Sequence, residues 1–209
     1  KGNFPPAPAA PCWLIPTQDD AAVAIAEQVA ELRKQGWKVL SCDPRRIDQF
    51  RNKAKFRQLA DRIGLLFLLP VHYNSIEDAR FPCILKPAIG TFGKDTHIVR
   101  DAAEATRIAP SGLGDRWLLQ ELVSGDKEYS TSLLVSSGEI LDSACIRYTY
   151  SMEEYVWPHV GLLHKELCSV TAKHLEEMHC FLEGFSGICN FNYKLRPDGG
   201  LCIFEVNPR

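Results

Sequence analysis

The turn signal Pro197-Asp198-Gly199-Gly200 constrains this chain more than any other feature, because it joins two runs, 188–195 and 201–206, that read as strands. The chain therefore closes on a β-hairpin. Strand alternation places Asn190 and Asn192 on one face, and Glu205 and Asn207 on one face. Oxygen donors converging from adjacent strands suit magnesium, which takes a few protein oxygens and completes its shell with water and phosphate. Polar residues alternating on a half-exposed sheet fit the same pattern with no ligand at all.

Upstream, Trp13–Ile15 reads as a short strand ending at Pro16. Asp19-Asp20 and the spacing Val23, Ala26, Val29, Ala30 predict an amphipathic helix stopped by Gly36. Trp37–Ser41 reads as a second buried strand and Asp43-Pro44 as a turn. Strand, helix and strand at this spacing make part of a parallel α/β layer. Asn52 then caps a helix whose apolar positions are Phe56, Leu59, Ala60 and Ile63, ended by Gly64.

Beyond it the texture is α+β. Strands are expected at 83–87 and 97–100 around a glycine loop, a short helix at Ala102–Ile108, and sheet at 117–123, 128–136 and 139–148. Residues 151–165, with Tyr155 and Trp157, have no regular period and read either as a loop over a pocket or as a packed connection. A helix is expected over about 166–183 with Leu167, Val170, Leu175, Met178, Phe181 and Leu182 facing inward.

Charge and composition narrow the function classes. With 24 Lys plus Arg against 26 Asp plus Glu the net charge is −2, which gives no basic field for nucleic acid. The longest apolar run, Gly64–Val71, is far short of the roughly 18–20 residues a membrane span needs. Eight cysteines without a Cys-x-x-Cys pair read as free, mostly buried thiols, and His174 with His179-Cys180 lacks a second pair to complete a zinc site. The expectation is a cytoplasmic chain with a trimmed start, no nucleic-acid partner and no membrane segment; its oligomeric state is open.

Two further segments carry chemistry. Lys86 ends the apolar strand 83–85, and the following Gly90, Thr91, Gly93 and Lys94 form a turn in which backbone N–H groups can approach an anion, with Lys86 and Lys94 charged on either side. The spacing is not that of a Walker loop, and an ordinary hairpin fits too. At Leu118–Ser130 a strand emerges into an acidic turn; the backbone groups freed there can read an adenine edge, and a nearby carboxylate can accept from ribose hydroxyls. A solvated turn is the plainer alternative. Arg147 is open to two readings, a substrate-carboxylate clamp or a surface salt bridge, and His159 and His164 could serve as acid or base.

Taken in order, these segments resemble the ATP-grasp superfamily, nearest to its carbamoyl-phosphate synthetase and biotin carboxylase branch. The resemblance covers about residues 12–209 and rests on Asn52-Lys53, the lysine strand with its glycine loop, Gln120-Glu121-Leu122-Val123-Ser124-Gly125, and Glu205-Val206-Asn207-Pro208-Arg209 placed after Gly187–Asn192. It implies an α/β and α+β architecture: a partial pre-ATP-grasp α/β unit at 1–50 and an ATP-grasp domain at 51–209 that reads as truncated at its C-terminus. It further implies that Lys53 and Lys86 contact the phosphates of ATP while Gly90, Thr91, Gly93 and Lys94 fold over them. Glu121 and Val123 would meet adenine through backbone groups, and Glu128 the ribose. Asn192, Glu205 and Asn207 would hold Mg2+, and Arg209, with Lys86, would face the transferred phosphoryl or the acyl substrate. The implied activity is a ligase that activates a small-molecule carboxylate as an acyl phosphate for attack by an amine or another nucleophile. A nucleotide-binding module without turnover and a phosphotransferase are the alternatives. Phe92 and Asp95 depart from the usual glycine-rich loop, and the neutral Asn192 favours one metal over two.

Overall fold

The computed structural model describes residues 4–87, 95–114 and 116–209. Helix α1 (Asp19–Lys34) buries Ala22, Ile25, Ala26 and Leu32, with acidic residues in its first turn and basic ones in its last, the arrangement its macrodipole favours. It ends at Gly36, whose φ of +93° only glycine adopts freely. Strands β1 (Cys12–Trp13) and β2 (Trp37–Lys38) flank it and pair in parallel. Both are two residues long, shorter than their apolar runs predict. The carbonyl of Val39, next along, goes to the Arg33 guanidinium at 3.0 Å instead of to a ladder.

Asp43-Pro44 is not a turn but the start of helix α2 (Pro44–Arg51). The Asp43 carboxylate accepts from Arg45 N at 2.8 Å, and Pro44 occupies a first position that needs no N–H donor. Helix α3 (Lys53–Arg62) is separated from α2 by Asn52 alone, because Asn52 Oδ1 accepts from Ala54 N at 3.0 Å and Lys55 N at 3.1 Å. This cap fixes where Lys53 stands. Replacing it, Asn52→Ala, is expected to remove about 1 kcal/mol of stability, a melting temperature about 2–4 °C lower. An unchanged melting curve would show that the cap does not set this helix start.

Residues 66–68 of the apolar run form a single 3-10 turn. They lead to a four-stranded antiparallel sheet containing β3 (His72–Tyr73), β4 (Cys83–Pro87), β5 (His97–Val99) and β6 (Trp117–Glu121), in the order β3-β6-β4-β5. Cys83, Leu85, Val99 and Leu119 form its core with Ala105 of helix α4 (Ala102–Ile108).

The larger sheet contains β7 (Lys127–Ser136), β8 (Glu139–Tyr150), β9 (Leu162–Cys168), β10 (Gly187–Leu195) and β11 (Leu201–Pro208), in the order β11-β10-β7-β8-β9. One face, with Leu133, Val135, Phe191 and Val206, is buried against Phe50, Phe56, Phe181 and Phe185. The helix expected over 166–183 is shorter: helix α5 covers Ala172–His179, capped by Thr171. Pairing of 162–168 with β8 overrides local helical spacing there, and Leu167, expected inward, is 79% exposed on edge strand β9. Among the described residues no helix is long and apolar enough to cross a membrane.

Candidate functional site

The polar face of the larger sheet is built by register. Asn192 lies opposite Glu205 and Asn190 opposite Asn207, while Phe191 and Val206, one residue off, point into the core. Glu205 is the hub. Its Oε1 accepts from Asn192 Nδ2 at 3.1 Å and Asn207 Nδ2 at 3.2 Å, and its Oε2 lies 3.1 Å from Lys53 Nζ. Burial by itself would raise this carboxyl, but the Lys53 charge and the three hydrogen bonds outweigh it and hold the group below the ordinary carboxylate range.

Lys53 is the first residue of α3, at the positive end of the helix dipole, where a cation is unfavourable unless a negative group answers it. Lys86, at the end of β4, adds a second ammonium. Burial and the like charge of Lys53 push it down to about 8, against the pull of Glu205. Two lysines and a helix start thus face a single carboxylate. That surplus of positive charge is what a polyphosphate would neutralise.

The donor set of one carboxylate and two amides fits magnesium, provided the amides present Oδ1 to the cation in place of Nδ2. Among the described residues no three His, Cys, Asp or Glu side chains gather as a metal site. A cation here would therefore depend on phosphate and water for the rest of its shell.

The second group lies where β6 ends. Glu121 is gripped by Arg196, Nη1 to Oε1 at 2.5 Å and Nη2 to Oε2 at 3.0 Å. It also exchanges bonds with Val71: Glu121 N donates to Val71 O at 2.8 Å, and Val71 N to Glu121 Oε2 at 3.0 Å. The Glu121 side chain therefore braces the strand exit. Buried Lys194, 3% exposed, donates to the carbonyls of Val123 at 3.1 Å, Gly125 at 2.7 Å and Glu153 at 3.4 Å. Its Nζ sits 4.1 Å from the centroid of the Tyr155 ring, and Tyr155 OH donates to Glu128 Oε2 at 3.1 Å. Burial raises Glu128 first, Tyr155 and Lys194 pull it down, Glu205 pushes it up, and the net direction is upward.

The structure therefore gathers Lys53, Lys86, Asn192 and Asn207 around the Glu205 carboxylate, and Glu121, Val123 and Glu128 around a neighbouring hinge. Arg209 is placed differently: its guanidinium pairs with Asp19 of α1 and donates to Pro208 O at 3.0 Å. Gly90, Thr91, Gly93 and Lys94 lie outside the described residues. Arg147 pairs with Glu166 across β8 and β9, at 2.9 and 2.5 Å, on the sheet face opposite Glu205, as the salt-bridge reading expects. Sequence reasoning missed Lys194 and Arg196. A signal existed for Lys194, which continues the alternating row Asn190, Asn192, Lys194 on the polar face.

Residues 51–209 match the family model described as ATP-grasp domain. The carbamoyl phosphate synthase large chain of Bifidobacterium animalis subsp. lactis (strain AD011) is 23% identical over 211 residues, which span 91% of this chain but 18% of that relative. Among solved structures, the L-amino acid ligase from Bacillus licheniformis superposes with a TM-score of 0.60 at 16% identity, covering 93% of this chain and 55% of the ligase. A biotin carboxylase from Campylobacter jejuni, as its β-γ-ATP complex, gives 0.61 at 15% identity, covering 96% and 49%.

Proposed function

The chain belongs to the ATP-grasp domain family, and from that premise we propose that it is a magnesium-dependent ATP-binding ligase that activates a small-molecule carboxylate. In this reading residues 1–50 form an α/β unit leading into the nucleotide-binding domain at 51–209, and the chain works in the cytoplasm. Lys53, Lys86 and the start of α3 bind the phosphates, and Gly90, Thr91, Gly93 and Lys94 cover them and exclude water. Glu121 and Val123 meet adenine through backbone groups. The Val123 carbonyl is already taken by Lys194, so its N–H is the group left for the base. Glu128 accepts from the ribose. Asn192, Glu205 and Asn207 hold Mg2+, which neutralises phosphate oxygens when bound. A carboxylate oxygen of the substrate attacks the γ-phosphorus and ADP leaves; an amine or other nucleophile then attacks the acyl carbon and phosphate leaves. Arg209, released from Asp19, faces the transferred phosphoryl or the acyl group.

The observation that carries this reading is Glu205, held between two amides on adjacent strands and the first lysine of a helix. ADP release is expected only when ATP, magnesium, a carboxylate and a nucleophile are all present, with hydroxylamine trapping the acyl phosphate as a hydroxamate. A stable phosphorylated product in place of the hydroxamate would make the protein a phosphotransferase. Nucleotide affinity is also expected to fall as Glu128 takes up a proton on acidification, over a pH range that begins above the ordinary Glu range because burial raises this carboxyl. Affinity constant over that range would remove Glu128 from ribose binding.

A further inference from the structure

Away from this site, two thiols stand in reaction geometry. Cys145 of β8 and Cys168, the last residue of β9, are directly opposed across the antiparallel pair, and their sulfurs are 3.3 Å apart. Directly opposed residues have Cα atoms about 4.5–5.5 Å apart, inside the window of about 4.4–6.8 Å that a disulfide spans. Closing the sulfurs to about 2.05 Å takes side-chain rotation with the strands left in register. Access to the two is unequal: Cys145 is 2% exposed, whereas Cys168 is only half-buried at the sheet edge. Among the described residues no other two cysteine sulfurs are in hydrogen-bond contact.

We propose that Cys145 and Cys168 form a site of reversible thiol oxidation, which closes as a disulfide and pins edge strand β9 to the sheet. The oxidant is a small-molecule disulfide such as oxidised glutathione. Cys168, after losing its proton to water, attacks one sulfur of that disulfide; its S–S bond breaks and one thiolate leaves. Cys145 then loses its proton and attacks the Cys168 sulfur, expelling the second thiolate. The protein gives up two electrons and two protons, and the oxidant becomes two thiols. Half-exposed Cys168 is thus the entry point and buried Cys145 the resolving partner.

The pair lies on the sheet face opposite Glu205, in the row Cys145, Thr131, Phe191, Val206. The proposal therefore stands independently of the nucleotide reading. Its structural effect is on the edge: β9 is held by β8 alone, and a cross-link there removes freedom from the unfolded chain. A rise in melting temperature of about 6–12 °C is expected, reversed by dithiothreitol.

The test is incubation of the full chain with oxidised glutathione, followed by intact mass and a non-reducing peptide map. The expected result is a map in which the peptides of Cys145 and Cys168 are joined, about 2 Da lighter than their sum, whatever glutathione the exposed Cys12 and Cys180 take up. In the peptide map Cys145→Ser is expected to stop halfway, with the Cys168 peptide one glutathione heavier, and Cys168→Ser to leave Cys145 unmodified. A wild-type map in which both cysteines still alkylate, or in which either is joined elsewhere, overturns the proposal without reference to the variants' folding.

Discussion

Glu205→Gln is expected to lower magnesium-dependent turnover by roughly 10²- to 10³-fold or more while the chain stays folded. The substitution keeps the side chain's shape and removes its charge. Lys53 then stands uncompensated at the positive end of α3 with Lys86 nearby, and a cation loses its only carboxylate in this group. The stability change is small: both partners are about one-third exposed, 36% for Lys53 and 33% for Glu205, so their pairing contributes only about 0–1 kcal/mol. Steady-state ADP release and a melting curve on the same sample check both halves. Full turnover by the variant would exclude Glu205 from the chemistry.

Lys194→Met is expected to have the second large effect, on affinity and stability together. Three carbonyls, of Val123, Gly125 and Glu153, lose their shared donor, and Glu128 loses the nearest cation. Relief of the buried charge offsets part of this. A net loss of about 3 kcal/mol, a melting temperature lower by about 6–12 °C, is expected, with KM for ATP raised about 10-fold or more and kcat moved less. A pH signature separates the residue from a generic core change. Burial pushes Lys194 down to about 8 from 10.5, so the unfolded chain binds the extra proton between those values and stability rises with pH across that window. Lys86, also held near 8, contributes the same slope. The Met variant should retain only one of these two contributions; an unchanged slope would show that Lys194 titrates normally.

Legibility followed the range of the interactions involved. The closing hairpin could be read because period-two alternation and a Pro-Asp-Gly-Gly turn are local; the same alternation put Asn190 with Asn192 on one face and Glu205 with Asn207 on one face, and the register of the hairpin makes that face common to both strands. The cap at Asn52, and so the position of Lys53, was legible for the same reason. What failed depended on distant partners. Strand β9 is a strand because β8 pairs with it, although its leucines are spaced as on a helix. Asp43-Pro44 satisfied the chemistry of a turn and of a helix start alike, and Phe50 packing on Phe185 favours the helix. Lys194 and Arg196 bond to residues about seventy positions away, at Val123 and Glu121, and no sequence window contains both ends. Arg209 sits in a motif that implies a catalytic place, yet its guanidinium rests on Asp19, 190 positions upstream.

The most direct test of a single nucleotide-and-metal site around Glu205 is thermal unfolding of the wild type and of Lys86→Ala with magnesium, with ATP, and with both. At about 100 times the dissociation constant a ligand stabilises by roughly 2.7 kcal/mol, so the wild type should melt about 5–10 °C higher with magnesium and ATP together, and much less with either alone. Lys86→Ala should lose that shift. An equal shift with ATP alone, or a full shift in the variant, would contradict the site described here.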